Sequence, residues 1–71
     1  MTYHKIASSS IDELAYDRES ASLSVRFRAG REYIYTPVPE DEYHRLLAAE
    51  SVGRHFVRYV RDAGYEYRRV G

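Results

Sequence analysis

Residues Leu23 to Pro39, reading LSVRFRAGREYIYTPVP, constrain this chain more than any other stretch. Leu23, Val25 and Phe27 alternate with Ser24, Arg26 and Arg28, the period-two pattern of an antiparallel strand buried on one face. Ala29-Gly30 interrupts the run, and glycine readily takes the positive φ that a hairpin turn requires. A second arm carries Tyr33 and Tyr35 at strand spacing and ends at Pro37 and Pro39, which cannot donate to a ladder. The stretch therefore predicts a β-hairpin leading into a proline-bounded helix start.

Hairpin parity decides where the tyrosines go. A three-residue loop, Arg28-Ala29-Gly30, pairs Arg26 with Glu32, Val25 with Tyr33 and Leu23 with Tyr35, which puts both tyrosines on the apolar face. A two-residue loop, Ala29-Gly30, pairs Val25 with Ile34 and leaves the tyrosines on the surface beside Arg26 and Ser24. Glycine in the last position of a three-residue loop suits the left-handed bulge residue and favours the first register. Ile34 argues for the second.

Upstream, Glu13–Asp17 (ELAYD) sets Leu14 and Tyr16 on one side of a short strand, and Asp17-Arg18-Glu19-Ser20 reads as a turn. Residues 1–9 show no period and read as a loosely ordered lead-in. Downstream, Glu40, Asp41 and Glu42 follow Pro39 where a helix dipole favours negative charge. Tyr43, Leu46 and Leu47 form that helix's apolar stripe, with Val38 packing at its start. Ser51 caps a second helix, in which Val52, Phe56, Tyr59, Val60 and Ala63 share one face while Arg54, Arg58 and Arg61 lie opposite. Gly64 is a natural stop, and the alternating tail Tyr65–Val70 is suited to a short edge strand. The expected fold is α+β, a three-stranded antiparallel β-meander followed by two α-helices packed on one face. Its expected core is Leu14, Tyr16, Leu23, Val25, Phe27, Tyr43, Leu46, Leu47, Val52, Phe56, Tyr59 and Val60.

A chain of 71 residues supports a single domain, and its core supplies only about 3–5 kcal/mol of net stability. With no cysteine, neither disulfides nor thiolate-bound zinc can add to that, and eight tyrosines with two phenylalanines supply the packing instead. Dimerisation is a further route to stability. Eleven basic and eleven acidic residues balance, which argues against strong nonspecific attraction to nucleic acid or membrane. The balance is uneven along the chain: residues 51–71 hold five arginines against Asp62 and Glu66. Met1–Ser10 lacks the apolar run of a signal peptide and no later segment is suited to span a bilayer, so a cytoplasmic protein is expected.

No catalytic, cofactor or metal signature emerges. His44 follows Glu40 by four residues and Asp41 by three, but His4 and His55 have no spacing that completes a metal site. Ser8–Ser10 lack the strained turn of a nucleophile, and the Glu40–Glu42 cluster is accounted for by the helix N-terminus. Two features bear on binding. Tyr33 and Tyr35 can stack bases of single-stranded RNA, or serve as amphipathic core residues. Arg54, Arg58, Arg61, Arg68 and Arg69 can follow a phosphate backbone, or form a solvated face.

The serine lead-in, LAYD, LSVRF..G..YIY, VPEDEY..LLAAES.G..F and the tyrosine-containing tail together resemble the KTSC domain. This is a small bacterial and phage module, named for its occurrence at the C-terminus of some lysyl-tRNA synthetases. Its central Tyr-x-Tyr falls on Tyr33 and Tyr35, and the likeness runs from about Ser8 to Val70. Val57 departs from the pattern, where a polar residue is expected after the helix phenylalanine. The resemblance implies a stand-alone, non-enzymatic domain of unsettled function, with RNA binding as its usual assignment, no catalytic residues and no cofactor. A protein-interaction or self-associating module is the alternative reading.

Overall fold

Which way Tyr33 and Tyr35 face is decided in the computed structural model, which describes residues 1–71. Strand β3 (Ser22–Phe27) pairs antiparallel with β4 (Glu32–Thr36), with Leu23 opposite Tyr35, Val25 opposite Tyr33 and Arg26 opposite Glu32. This is the three-residue-loop register. Phe27 N–H donates to Arg31 O at 2.8 Å, and Gly30 has φ +98, the left-handed conformation its lack of Cβ permits.

The sheet has five strands where the sequence pattern predicted three. Strand β1 (Tyr3–Lys5), β2 (Ile11–Asp17), β3, β4 and β5 (Glu66–Arg69) lie side by side in chain order, every neighbour antiparallel. The tail forms the edge strand its alternation suggested. Strand β1 lies within residues 1–9, the expected lead-in, and a three-residue strand is too short to display a period. Helices α1 (Glu40–Ala48) and α2 (Val52–Tyr59) lie in the chain between β4 and β5, not after the last strand as in the three-stranded meander that the pattern predicted, and contact each other. Neither helix is long and apolar enough to cross a membrane.

The core comprises Ile11, Leu14, Leu23, Val25, Tyr35, Val38, Tyr43, Leu46, Phe56 and Val60. Tyr16, Phe27, Leu47 and Val52 pack against it half-buried. Ile11 and Leu14 are both fully buried although they stand an odd number of positions apart, three. A β-bulge between Ile11 and Glu13 absorbs the extra residue and returns both side chains to one face. Val38, between the two prolines, is fully buried; its N–H donates to Ala21 O at 2.8 Å and its carbonyl accepts from the Tyr16 hydroxyl. Tyr16 in turn stacks on Tyr43, with centroids 5.1 Å apart, and joins the sheet to α1.

Two expectations about the second helix are corrected. Its α-helical part ends at Tyr59, Val60 leaves helical geometry (φ −120, ψ −62), and a 3-10 turn at Arg61–Ala63 runs to Gly64 at φ +90. The break drops Val60 into the core, while Tyr59 is 45% exposed, resting beside His55 and the Arg58 guanidinium. Ala63, beyond the break, is exposed as well. Ser51 accepts from Arg54 N–H at 3.3 Å, the cap that was expected.

The sheet face away from the core is not bare. Ser24 and Ala15 are fully buried there, under Tyr3. The Tyr3 hydroxyl donates to Glu32 Oε2 at 2.6 Å, Ser24 Oγ donates to the same oxygen at 2.7 Å, and Arg26 bridges Glu32 and Glu13 at 3.3 and 3.2 Å. The Arg26 guanidinium sits 3.5 Å from the centre of the Tyr3 ring. The hydrogen bonds from Tyr3 and Ser24, then the Arg26 contact, hold the Glu32 carboxyl below its ordinary 4.5. A depressed carboxyl contributes stability that is present above its unfolded-state value and lost as pH falls through the folded one. Glu32→Gln should therefore melt below the wild type at neutral pH, with the gap closing on acidification. A gap that stays constant through the acid range in thermal melts would exclude this coupling.

Candidate functional site

On the core side, the β3–β4–β5 end of the sheet and α2 enclose a cleft of about 410 Å³. The strand register supplies most of its wall. Tyr33 and Tyr35 project toward the helices from β4, Phe27 projects from β3, and Tyr67 of β5 lies opposite Tyr35. Phe56 and Val57 close the cleft from α2.

The five rings form a closed circuit. Phe27 meets Tyr33 (5.9 Å, 76°), Tyr33 meets Tyr67 (5.9 Å, 75°) and Tyr67 meets Tyr35 (5.5 Å, 33°). Tyr35 then meets Phe56 (5.5 Å, 78°), which returns to Phe27 (5.5 Å, 71°). Four of these contacts are edge-to-face, the arrangement favoured by the ring quadrupoles. Burial grades across the circuit: Phe56 and Tyr35 are 3% and 4% exposed, Tyr33 is half-buried, and Tyr67 is 65% exposed. Desolvation, then the neighbouring Tyr67 and Tyr33, pushes the Tyr35 phenol up from its ordinary value, so it stays neutral.

Arg31 and Arg61 stand at the cleft rim. Arg31 directly follows the hairpin turn and makes no ion pair. Arg61 pairs only with its neighbour Asp62, at 3.2 Å and exposed to solvent, an interaction worth little. The result is a partly open aromatic slot with cations at its mouth, able to hold a flat apolar group attached to an anion.

The residues singled out from sequence are divided by the fold. Tyr33, Tyr35 and Arg61 meet at this cleft. The helix break at Val60 carries Arg61 to the rim, away from the face opposite the stripe where the pattern predicted it. Arg54 and Arg58 are exposed on α2. Arg68 pairs with Ile34 and so projects from the far side of the sheet, apart from the other arginines. Arg69 alternates back to the helix side, where its Nε donates to Gly71 O at 2.9 Å. The five arginines are thus not one continuous basic face. Tyr67 and Arg31 were not anticipated as site residues. The signal for Tyr67 was present: once the tail is a strand beside β4, its alternation puts Tyr67 with the tyrosine pair.

A second cluster lies between the helices. Glu42 and His55 approach to 2.6 Å, with side chains only 10% and 18% exposed, and Arg45 is 3.6 Å from the other carboxylate oxygen. Glu42 therefore clasps α1 to α2 beyond any role in complementing the helix dipole. His44 pairs with Glu40 at 3.5 Å on the surface, and no three metal-ligating side chains converge. Ser8 Oγ accepts from the Ser10 and Ile11 amides, so the serines form a turn. That turn packs against Gly53, where a Cβ would come within 3.1 Å of Ser10 Oγ.

A five-stranded antiparallel sheet backed by two short helices, with an aromatic slot where its last strands meet the second helix, defines a small α+β domain. The chain belongs to the KTSC domain family, whose pattern matches residues 7–70. It is 40% identical over 65 residues to an uncharacterized protein of Stutzerimonas stutzeri, covering 92% of each chain. A protein of Tsukamurella paurometabola is 43% identical over 49 residues, covering 69% of this chain and 73% of that one. The crystal structure of a KTSC domain protein from Yersinia pestis superposes with a TM-score of 0.90 at 30% identity, covering 99% of this chain and 97% of that one.

Proposed function

We propose that this domain is a non-enzymatic binding module for single-stranded RNA, acting in the cytoplasm, with the aromatic cleft as its base-stacking site. The observation that carries the reading is the graded circuit of Phe27, Tyr33, Tyr35, Phe56 and Tyr67 with Arg31 and Arg61 at its mouth. Every base offers a π-face, so a stacking slot needs no sequence preference, and the rim arginines meet the phosphates on either side of a seated base. Tyr67 and Tyr33 are the accessible rings and receive the base; Tyr35 and Phe56 form the rigid floor. The role of the basic C-terminal end narrows accordingly, with Arg61 contacting RNA directly and Arg54 and Arg58 extending its track along α2. Arg68 lies on the wrong side of the sheet to take part.

With net charge zero and few phosphates engaged, binding is weak and salt-sensitive. Neutralising about three phosphates gives a slope near −2 in log K against log salt, at about −0.7 per contact for a single strand. Fluorescence anisotropy with labelled single-stranded RNA at low salt tests this. Tyr33→Ala should weaken binding on the order of tenfold, the scale of one lost stacking contact, without changing the slope. Arg61→Gln should make the slope shallower by about 0.7. Wild-type protein that leaves the anisotropy unchanged, or a Tyr33→Ala variant that binds equally well, would refute the assignment.

A further inference from the structure

The meander has two open edges, and they differ in what they offer a second chain. At β1 the edge residues are Tyr3, His4 and Lys5, without a carboxylate. At β5 the four residues Glu66, Tyr67, Arg68 and Arg69 are all exposed, and no proline or bulge interrupts the strand. Tyr67 presents a large ring at this edge, 65% exposed. An open edge of this kind is a template for another strand unless something blunts it.

Hydrogen-bond phase determines how a second strand would add. Val70 N–H donates to Glu32 O at 2.9 Å, so along β5 the amides and carbonyls of Glu66, Arg68 and Val70 face β4. Those of Tyr65, Tyr67 and Arg69 consequently face outward. Side chains alternate as well: Tyr67 and Arg69 share the face of the aromatic cleft, while Glu66 and Arg68 share the opposite face.

We propose that β5 pairs antiparallel with β5 of a second copy of this chain about a two-fold axis at Tyr67, joining two meanders into one continuous sheet. In this register Tyr67 meets the partner copy's equivalent tyrosine as a hydrogen-bonded pair, and Tyr65 exchanges both bonds with the other copy's residue equivalent to Arg69. Glu66 then stands opposite the other copy's equivalent of Arg68, and the same ion pair recurs by symmetry. Both ion pairs fall at non-hydrogen-bonded positions, where opposed Cα atoms approach to about 4.5 Å and side chains are closest. Sliding the register so that the axis falls on Glu66 sets carboxylate against carboxylate; an axis at Arg68 sets guanidinium against guanidinium. Only the Tyr67-centred register keeping both sheet faces continuous matches opposite charges, and it also covers the most exposed ring of the cleft. The two clefts would then open on the same side of the joined sheet, on either side of the axis. The pairing covers a ring that base stacking would use, so the two compete at Tyr67; it is tested without RNA, and either reading can fail without the other.

Sedimentation equilibrium of the full chain, without RNA, across a concentration series up to millimolar tests the pairing. Wild type should show a monomer–dimer equilibrium. Glu66→Arg and Arg68→Glu should each raise the dimer dissociation constant on the order of tenfold, because both symmetric pairs become like-charged. The two single variants mixed together should form a heterodimer, since each supplies the sign the other lacks, and the double exchange in one chain should restore self-association. Thermal melts matching wild type would show that these exposed changes leave the fold intact. Amide exchange at Tyr67 and Arg69 should slow as protein concentration rises, while Glu66 and Arg68 change little. A wild-type protein that stays monomeric throughout, or a dimer indifferent to both reversals, overturns the proposal.

Discussion

Phe56→Ala is expected to remove about 3–5 kcal/mol, most of the net stability available to a domain of this size. Phe56 is 3% exposed and touches the edges of Phe27 and Tyr35 at 5.5 Å each, so its loss opens a void where the sheet meets α2. Little can refill that void, because Val57 and Gly53 on the same helix already border the cleft. Thermal melts should show either no cooperative transition or one shifted far below wild type. Phe56→Leu keeps much of the volume and should retain a folded baseline, which separates cavity cost from any special demand for an aromatic ring. A Phe56→Ala melt that overlays wild type would mean the packing described for α2 is wrong.

The second large effect is expected at Tyr35. Tyr35→Ala should cost on the order of 3 kcal/mol, the scale of other buried aromatic truncations, whereas Tyr33→Ala, half-buried at the cleft wall, should cost about 1 kcal/mol or less. The two tyrosines are thus unequal, one floor and one wall, although they stand two residues apart on one strand. Denaturant unfolding of both variants distinguishes them. Equal losses would contradict the graded burial. Because Tyr35 and Phe56 share a contact, combining their substitutions should cost less than the sum of the separate effects, and a double-mutant cycle reads that coupling.

These expectations bear on function through a common geometry. The rings that support the domain's core also floor its cleft, so truncating Tyr35 or Phe56 confounds stability with binding. Tyr33 and Arg61 are the informative positions for RNA, and Glu66 with Arg68 for self-association, since none of these contributes a deeply buried side chain. Tyr67 belongs to both proposals, which makes it the poorest place to separate them.

Local chemistry determined much of this protein from its sequence alone. Alternation from Leu23 to Phe27, interrupted at Ala29-Gly30, specified the hairpin, and glycine at the end of a three-residue turn favoured the register that the structure adopts; Ile34 kept the other open, and a single slip reverses every side chain. Pro37 and Pro39 stopped β4, and Ser51 started α2, through backbone groups that any chain would have to satisfy. Tertiary structure alone decided the rest. Strand β1 exists because Tyr3 can reach Ser24 and Glu32 across the sheet, and no local period encodes that reach. Ile11 enters the core through a bulge that breaks the alternation by which a buried strand residue is read. Tyr59 is turned out and Arg61 turned toward the cleft because the helix yields at Val60, where burying that side chain outweighs another turn of regular hydrogen bonding. The Glu42–His55 clasp joins residues thirteen apart on different helices. The candidate site follows the same division: Tyr33 and Tyr35 were legible as a pair on one strand, but only the pairing of β5 with β4 brought Tyr67 beside them and made a cleft of separate rings.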